Sequence, residues 1–144
     1  MERKEERSDA VSEADPRFSS GPWTGYWVQG APGGLTLGWM DLQLRFSNGV
    51  LTGTGRDLVG DFSLKGRYDL ASGTCFIRKR YPSHEAFYSG SSDGTGIWGR
   101  WEIFPNLTGT FSIWPGSAGD GLEESARAGI PFGAELVYPT PLDP

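Results

Sequence analysis

His84 is the only histidine in the chain, and Glu85 follows it directly. A histidine beside a carboxylate is the usual material of proton transfer. Here both fall at the start of a stretch that reads as a strand, where successive side chains point to opposite faces. Glu85 therefore does not orient His84 from within that strand, and a turn-adjacent histidine is the stronger reading. Cys75 is the only cysteine. With no histidine–acid arrangement legible around it, it reads as a small buried apolar residue and not as a nucleophile. Asp57 and Asp61 flank Leu58-Val59-Gly60. Two carboxylates at a loop suit a cation or an acid–base pair, but no Asp-x-Asp-x-Asp loop or bidentate glutamate follows, which favours turn capping. Arg78-Lys79-Arg80 is the one basic run in the body of the chain. Arg78 and Arg80 share a strand face and Lys79 takes the other. A solvated outer face is the plainer reading for the two arginines. If Phe76 faces the interior instead, both arginines do so too and can hold an anionic group.

No glycine-rich phosphate loop, Ser–His–Asp order, zinc spacing or heptad is present. No catalytic residue, metal ligand set or cofactor is therefore expected, and the balance falls on binding.

The elements that position these residues are strands. Met40, Leu42, Leu44 and Phe46 alternate with Asp41, Gln43 and Arg45, the period of two that marks a strand with one face on a core. Asn48-Gly49 is a strong hairpin signal and returns the chain through Val50–Gly55. Further strands are predicted over Trp23–Gln29, Asp61–Tyr68, Thr74–Tyr81, His84–Gly90, Thr95–Phe104 and Thr108–Trp114, each set off by a turn cluster. Eight short strands with hairpin-length connections leave no room for crossover helices, so the sheet is antiparallel and up-and-down. Closure into a small barrel removes its exposed edges; a two-sheet sandwich is the alternative.

The chain has 144 residues and a net charge of -5, which disfavours a general nucleic-acid binder. Between residues 21 and 115, however, seven acids stand against eight bases, so the acidity belongs to the ends. Residues 1–20 are charged and small and read as a disordered lead. Residues 21–115 form the barrel domain. Within 116–144, Asp120 and Glu123 resemble a capping box opening a short helix over Leu122–Ala128, and Ala134–Tyr138 suits one more strand packed on the barrel. The charged start lacks the apolar segment of a signal peptide, and no apolar run is long enough to span a membrane, so a cytoplasmic protein is expected.

Short motifs in the central zone resemble the avidin–streptavidin barrel within the broader calycin, lipocalin-like group. They are Gly25-Tyr26-Trp27, Leu51-Thr52-Gly53-Thr54, Leu64-Lys65-Gly66-Arg67-Tyr68-Asp69, Tyr88-Ser89-Gly90 and Trp101. The resemblance implies an eight-stranded barrel that binds a small ligand in its lumen. The biotin chemistry does not carry over: Gln29 stands for an amide, but Ala86 replaces a hydroxyl donor and Arg78 replaces a pocket tryptophan. A second rhythm resembles small β modules of unassigned role. It runs Gly55-x-Asp57, Gly60-x-Phe62, Lys79-x-Tyr81, His84, Tyr88-x-Gly90, Ile97-x-Gly99-x-Trp101 and Gly109-x-Phe111.

Together these readings predict a non-catalytic, calycin-like binding protein. A small apolar or amphipathic ligand is expected against Met40, Leu42, Leu44, Phe46, Phe62, Leu64, Tyr68 and Trp101, with Arg78 or Arg80 at its polar end. Tyr68, Arg78, Arg80, His84, Tyr88 and Trp101 are the candidate ligand residues. The alternative is an interaction or structural module with a filled core, meeting a protein partner or a second copy through Trp39 and Trp98. Trp39 and Trp98 oppose the inward Met40 and Ile97 in their strands. Unless the C-terminal segment folds over them, they form a partner surface. Neither nucleic acid nor membrane is expected as a partner.

Overall fold

The computed structural model describes residues 12–31, 34–116 and 134–137. Eight strands, β1 (Gly21–Ala31), β2 (Gly34–Ser47), β3 (Val50–Asp57), β4 (Gly60–Asp69), β5 (Thr74–Arg80), β6 (Glu85–Ser92), β7 (Ile97–Ile103) and β8 (Leu107–Pro115), follow one another in an antiparallel meander. Pairing of β8 with β1, and of β1 with β2, closes the sheet into a barrel. The sandwich alternative is thereby excluded. Asn48 and Gly49 both take positive φ, 52° and 80°, the backbone of a two-residue turn whose twist matches its strands.

Inward rows follow the alternation read from the sequence. Met40, Leu42, Leu44 and Phe46 from β2 meet Phe62, Leu64 and Tyr68 from β4, Ile77 from β5, Trp101 from β7 and Phe111 from β8 in one buried cluster. The β1–β2 hairpin is longer than its neighbours and stands proud of β3, which joins β2 only from Asp41 onward. Ala134–Val137 forms β9 and pairs in parallel with Leu35–Gly38, on the length of β2 that β3 leaves open. The fold is thus all antiparallel except for this added strand. The helix expected over Leu122–Ala128 lies outside the described residues.

One end of the barrel is shut by the chain that precedes β1. The composition of residues 1–20 pointed to a disordered lead, yet from Ser12 onward this segment packs into the fold. A 3-10 turn over Pro16–Phe18, capped by the Asp15 carboxylate at 2.9 Å from the Arg17 amide, carries Phe18 into the barrel end. Phe18 is fully buried, its ring 4.9 Å from that of Tyr68 and 5.6 Å from that of Phe46. A backbone hydrogen bond from the Glu13 amide to the Phe46 carbonyl, and a side-chain one from the Trp23 indole to the Ser19 carbonyl, fix the plug. One aromatic side chain supplies the burial that the charged composition hides.

On the outer wall, Leu37 and Trp39 are buried even though they oppose the inward Met40. Trp39 meets Tyr26 edge-on at 5.3 Å, and Trp114 stands 6.4 Å away in the same outer cluster. Trp98, by contrast, is 54% exposed. Among the described residues no helix is long and apolar enough to cross a membrane.

Candidate functional site at the open end of the barrel

Opposite the plug, the barrel ends in a mouth ringed by the β3–β4, β5–β6 and β7–β8 turns. Asp57 closes β3 with its side chain pointing inward, following Leu51, Gly53 and Gly55 on the same face. One carboxylate oxygen caps its own turn, accepting from the Val59 amide at 2.9 Å. The other accepts from the Lys79 ammonium at 2.6 Å, the Trp27 indole at 3.2 Å and the Tyr81 hydroxyl. Turn capping, the favoured reading of Asp57, describes half of what this carboxylate does. Its sequence partner Asp61 points away and pairs with Arg56 on the surface at 2.8 Å.

Lys79 faces inward because its neighbours face outward. It is 1% exposed, and its ammonium also donates to the Tyr88 hydroxyl at 3.0 Å and lies 4.3 Å above the Phe62 ring. Burial pulls its pKa down from the ordinary lysine value to about 8, while the Asp57 charge resists that fall. Burial, and the same carboxylate, raise the Tyr81 and Tyr88 hydroxyls well above the usual tyrosine range, so both stay protonated, Tyr81 donating to Asp57 and Tyr88 accepting from Lys79. A buried charge pair of this kind is tolerated only when its remaining hydrogen-bonding capacity is met, and here five groups converge on one carboxylate.

Above this floor lies a cleft of about 70 Å³, lined by Trp27, Gln29, Val59, Tyr81, His84, Ala86, Tyr88, Trp101 and Ile103. Glycines make room for its two tryptophans. A Cβ at Gly38 or at Gly109 would stand inside contact distance of the Trp27 or Trp101 ring that lies across from it. The two indoles meet edge to face, 6.4 Å apart. His84 stacks on Tyr81 at 4.7 Å, with Nδ1 2.8 Å from the Ser83 hydroxyl. Deeper in the lumen, between Met40, Phe62, Ile77 and Ile113, the free space is only about 20 Å³.

Of the six ligand residues expected from the sequence, His84, Tyr88 and Trp101 come together at this mouth. Tyr68 lies at the plugged end, its hydroxyl donating to Glu13 at 2.6 Å. Arg78 and Arg80 point outward and share Glu85, at 3.8 and 3.0 Å. Phe76, the residue whose orientation decides theirs, is 50% exposed. Sequence reasoning missed Lys79, Tyr81 and Trp27 as parts of the site. Alternation carried the signal: a lysine between Ile77 and Tyr81 on the inward row requires an inward carboxylate, and Asp57 ends such a row. The second rhythm noted in the sequence supplies Asp57, Lys79, Tyr81, His84, Tyr88 and Trp101 to this one place.

Fold and site together define an eight-stranded up-and-down antiparallel barrel with a solid centre, a plugged end and a shallow aromatic mouth. No family model matches the chain, and no match to it was found among curated proteins. The barrel is compatible with a calycin-like fold, and these comparisons lend the narrower avidin-like resemblance no support. Among the described residues no three acidic, histidine or cysteine side chains gather as a metal site would require.

Proposed function

We propose that this protein is a non-catalytic binding module that holds the apolar end of a small amphipathic molecule in the barrel mouth. The observation that carries the reading is the 70 Å³ cleft with aromatic walls over a floor whose polar groups already have partners. Because Asp57, Lys79, Tyr81 and Tyr88 satisfy one another, the floor asks for no charge from a ligand. Apolar contact with Trp27 and Trp101 supplies the affinity, and Gln29 and His84 at the rim meet a polar remainder outside. The size sets a limit. An apolar cavity of about 150 Å³ takes up benzene, so this cleft accepts a ring edge, a branched alkyl end or a side chain, and the rest of the ligand stays in solvent. The buried free thiol of Cys75 accords with a reducing compartment, and we place the protein in the cytoplasm on that ground.

The test is a titration with indole, benzyl alcohol and a short-chain fatty acid, followed through the indole N–H resonances in an NMR spectrum. Saturable shifts of Trp27 and Trp101 with an unmoved Trp98 are expected. Absence of saturable shifts for all three probes at millimolar concentration counts against the mouth as a binding site.

The filled lumen also favours a second reading, an interaction module that works through its outer wall.

A further inference from the structure

The outer wall of β4–β7 carries a surface unrelated to the mouth. Arg67, Phe76, Ser89 and Arg100 stand side by side in one cross-strand row. The next row holds Lys65, Arg78, Phe87 and Glu102. Phe76 and Phe87 stack with 6.2 Å between ring centres, and Phe104 from the β7–β8 turn continues the ladder 5.7 Å beyond Phe87. Phe104 is 67% exposed. Two exposed phenylalanines with the half-buried Phe87 between them form a contiguous apolar stripe, unlike the single exposed side chains that any surface tolerates.

The charges beside this stripe are unbalanced. In these two rows and the adjoining Arg80–Glu85 row, Lys65, Arg67, Arg78, Arg80 and Arg100 face outward against two carboxylates, Glu85 and Glu102. Asp69 and Asp61 stand beyond these rows at the two ends of β4, Asp61 paired with Arg56. Glu85 is taken by Arg78 and Arg80, while Lys65, Arg67 and Arg100 make no ion pair among the described residues. A local excess of positive charge on a chain of net charge -5 is a placed feature, and it complements one kind of partner.

We infer that this face docks an acidic peptide segment carrying aromatic or large aliphatic side chains, as an extended run laid across β4–β7. The apolar side chains of such a segment cover Phe76, Phe87 and Phe104, and its carboxylates meet Arg67 and Arg100 on either side. Guanidinium groups suit this role because they bind carboxylates in a fork. The barrel has no open edge on these strands, so the contact is made by side chains and not by strand addition.

Fluorescence anisotropy with a labelled peptide of about a dozen residues, alternating glutamate with phenylalanine, tests the inference. A peptide with lysine in place of glutamate, an oligo(dT) single strand and phosphatidylserine vesicles are the controls. Saturable binding of the acidic peptide alone is expected, weakening as salt rises. Arg67→Glu with Arg100→Glu, and separately Phe76→Ser with Phe104→Ser, each weaken it about tenfold with the melting temperature kept. Four results overturn the inference: no binding of the acidic peptide, equal binding of the basic one, unchanged affinity in both double variants, or tighter binding of oligo(dT) or vesicles. The mouth titration is independent of all four.

Discussion

Replacing Asp57 by asparagine perturbs a carboxylate on which five donors converge. The carboxylate accepts from Lys79, Tyr81 and Trp27 on one oxygen and from the β3–β4 turn on the other. An amide that keeps the turn bond must turn its NH2 toward three donors, leaving a buried ammonium without its counter-charge. Breaking a buried ion pair from one side costs about 3–5 kcal/mol, which for a domain of this size lowers the melting temperature by roughly 10–25 °C. Lys79→Met removes the charge instead and puts a flexible apolar chain beside Met40 and Phe62. Asp57 then still has four donors, and the expected cost is smaller, about 1–2 kcal/mol. The double variant leaves no buried charge, so it is more stable than the sum of the single costs by at least about 1 kcal/mol. Urea denaturation of all four proteins at pH 7 measures the cycle. The pH dependence supplies an independent sign. Folded Lys79 has a pKa of about 8, below its unfolded value, so between about pH 8 and 10 the unfolded chain binds more protons at this site. Stability of the native protein, relative to Lys79→Met, therefore rises across that window. Additive costs, an Asp57→Asn penalty under about 1 kcal/mol, or a fall across the window would show that Asp57 and Lys79 do not act as a coupled buried pair.

Three further outcomes follow from the packing. Phe18→Ala empties the plugged end and costs about 3–5 kcal/mol in urea denaturation; a loss under about 1 kcal/mol would mean the segment before β1 is dispensable. Cys75 is buried, with its thiol pushed up to about 12, so labelling by a disulfide reagent should be slow in buffer and complete in denaturant. Gly38→Ala drives a methyl into the Trp27 ring. It is expected to destabilise by about 1–3 kcal/mol and to shift the Trp27 indole N–H resonance, whereas an unmoved resonance would show that the ring does not lie over Gly38.

Most of the barrel was legible because one face of every strand had to be apolar. Met40 to Phe46 and Phe62 to Tyr68 announce that face, and Asn48-Gly49 sets the register between β2 and β3. Alternation also left the arginines undecided until one neighbour was placed. Once Phe76 is seen to face solvent, Arg78 and Arg80 must follow and Lys79 must turn in. Within the lead, residues 12–20 dock against the expectation of disorder because the entropy argument averages over composition, whereas a single phenylalanine at a barrel end decides whether the chain docks. Residues 1–11 lie outside the described residues. Asp57 and Lys79 lie 22 positions apart on different strands. Their pairing depends on barrel closure and could not be read from spacing alone. Lumen volume was equally out of reach, since it depends on how closely the aromatic rings approach the glycines of neighbouring strands.

The most direct test of the mouth as a binding site is a native mass spectrum of protein purified from its natural source, set beside the spectrum in denaturing acid. The native protein is predicted to carry a small-molecule adduct that acid removes. Ala86→Phe, which fills the cleft from its own wall, is predicted to carry none. Bare protein in the native spectrum, or the same adduct on Ala86→Phe, would contradict the account.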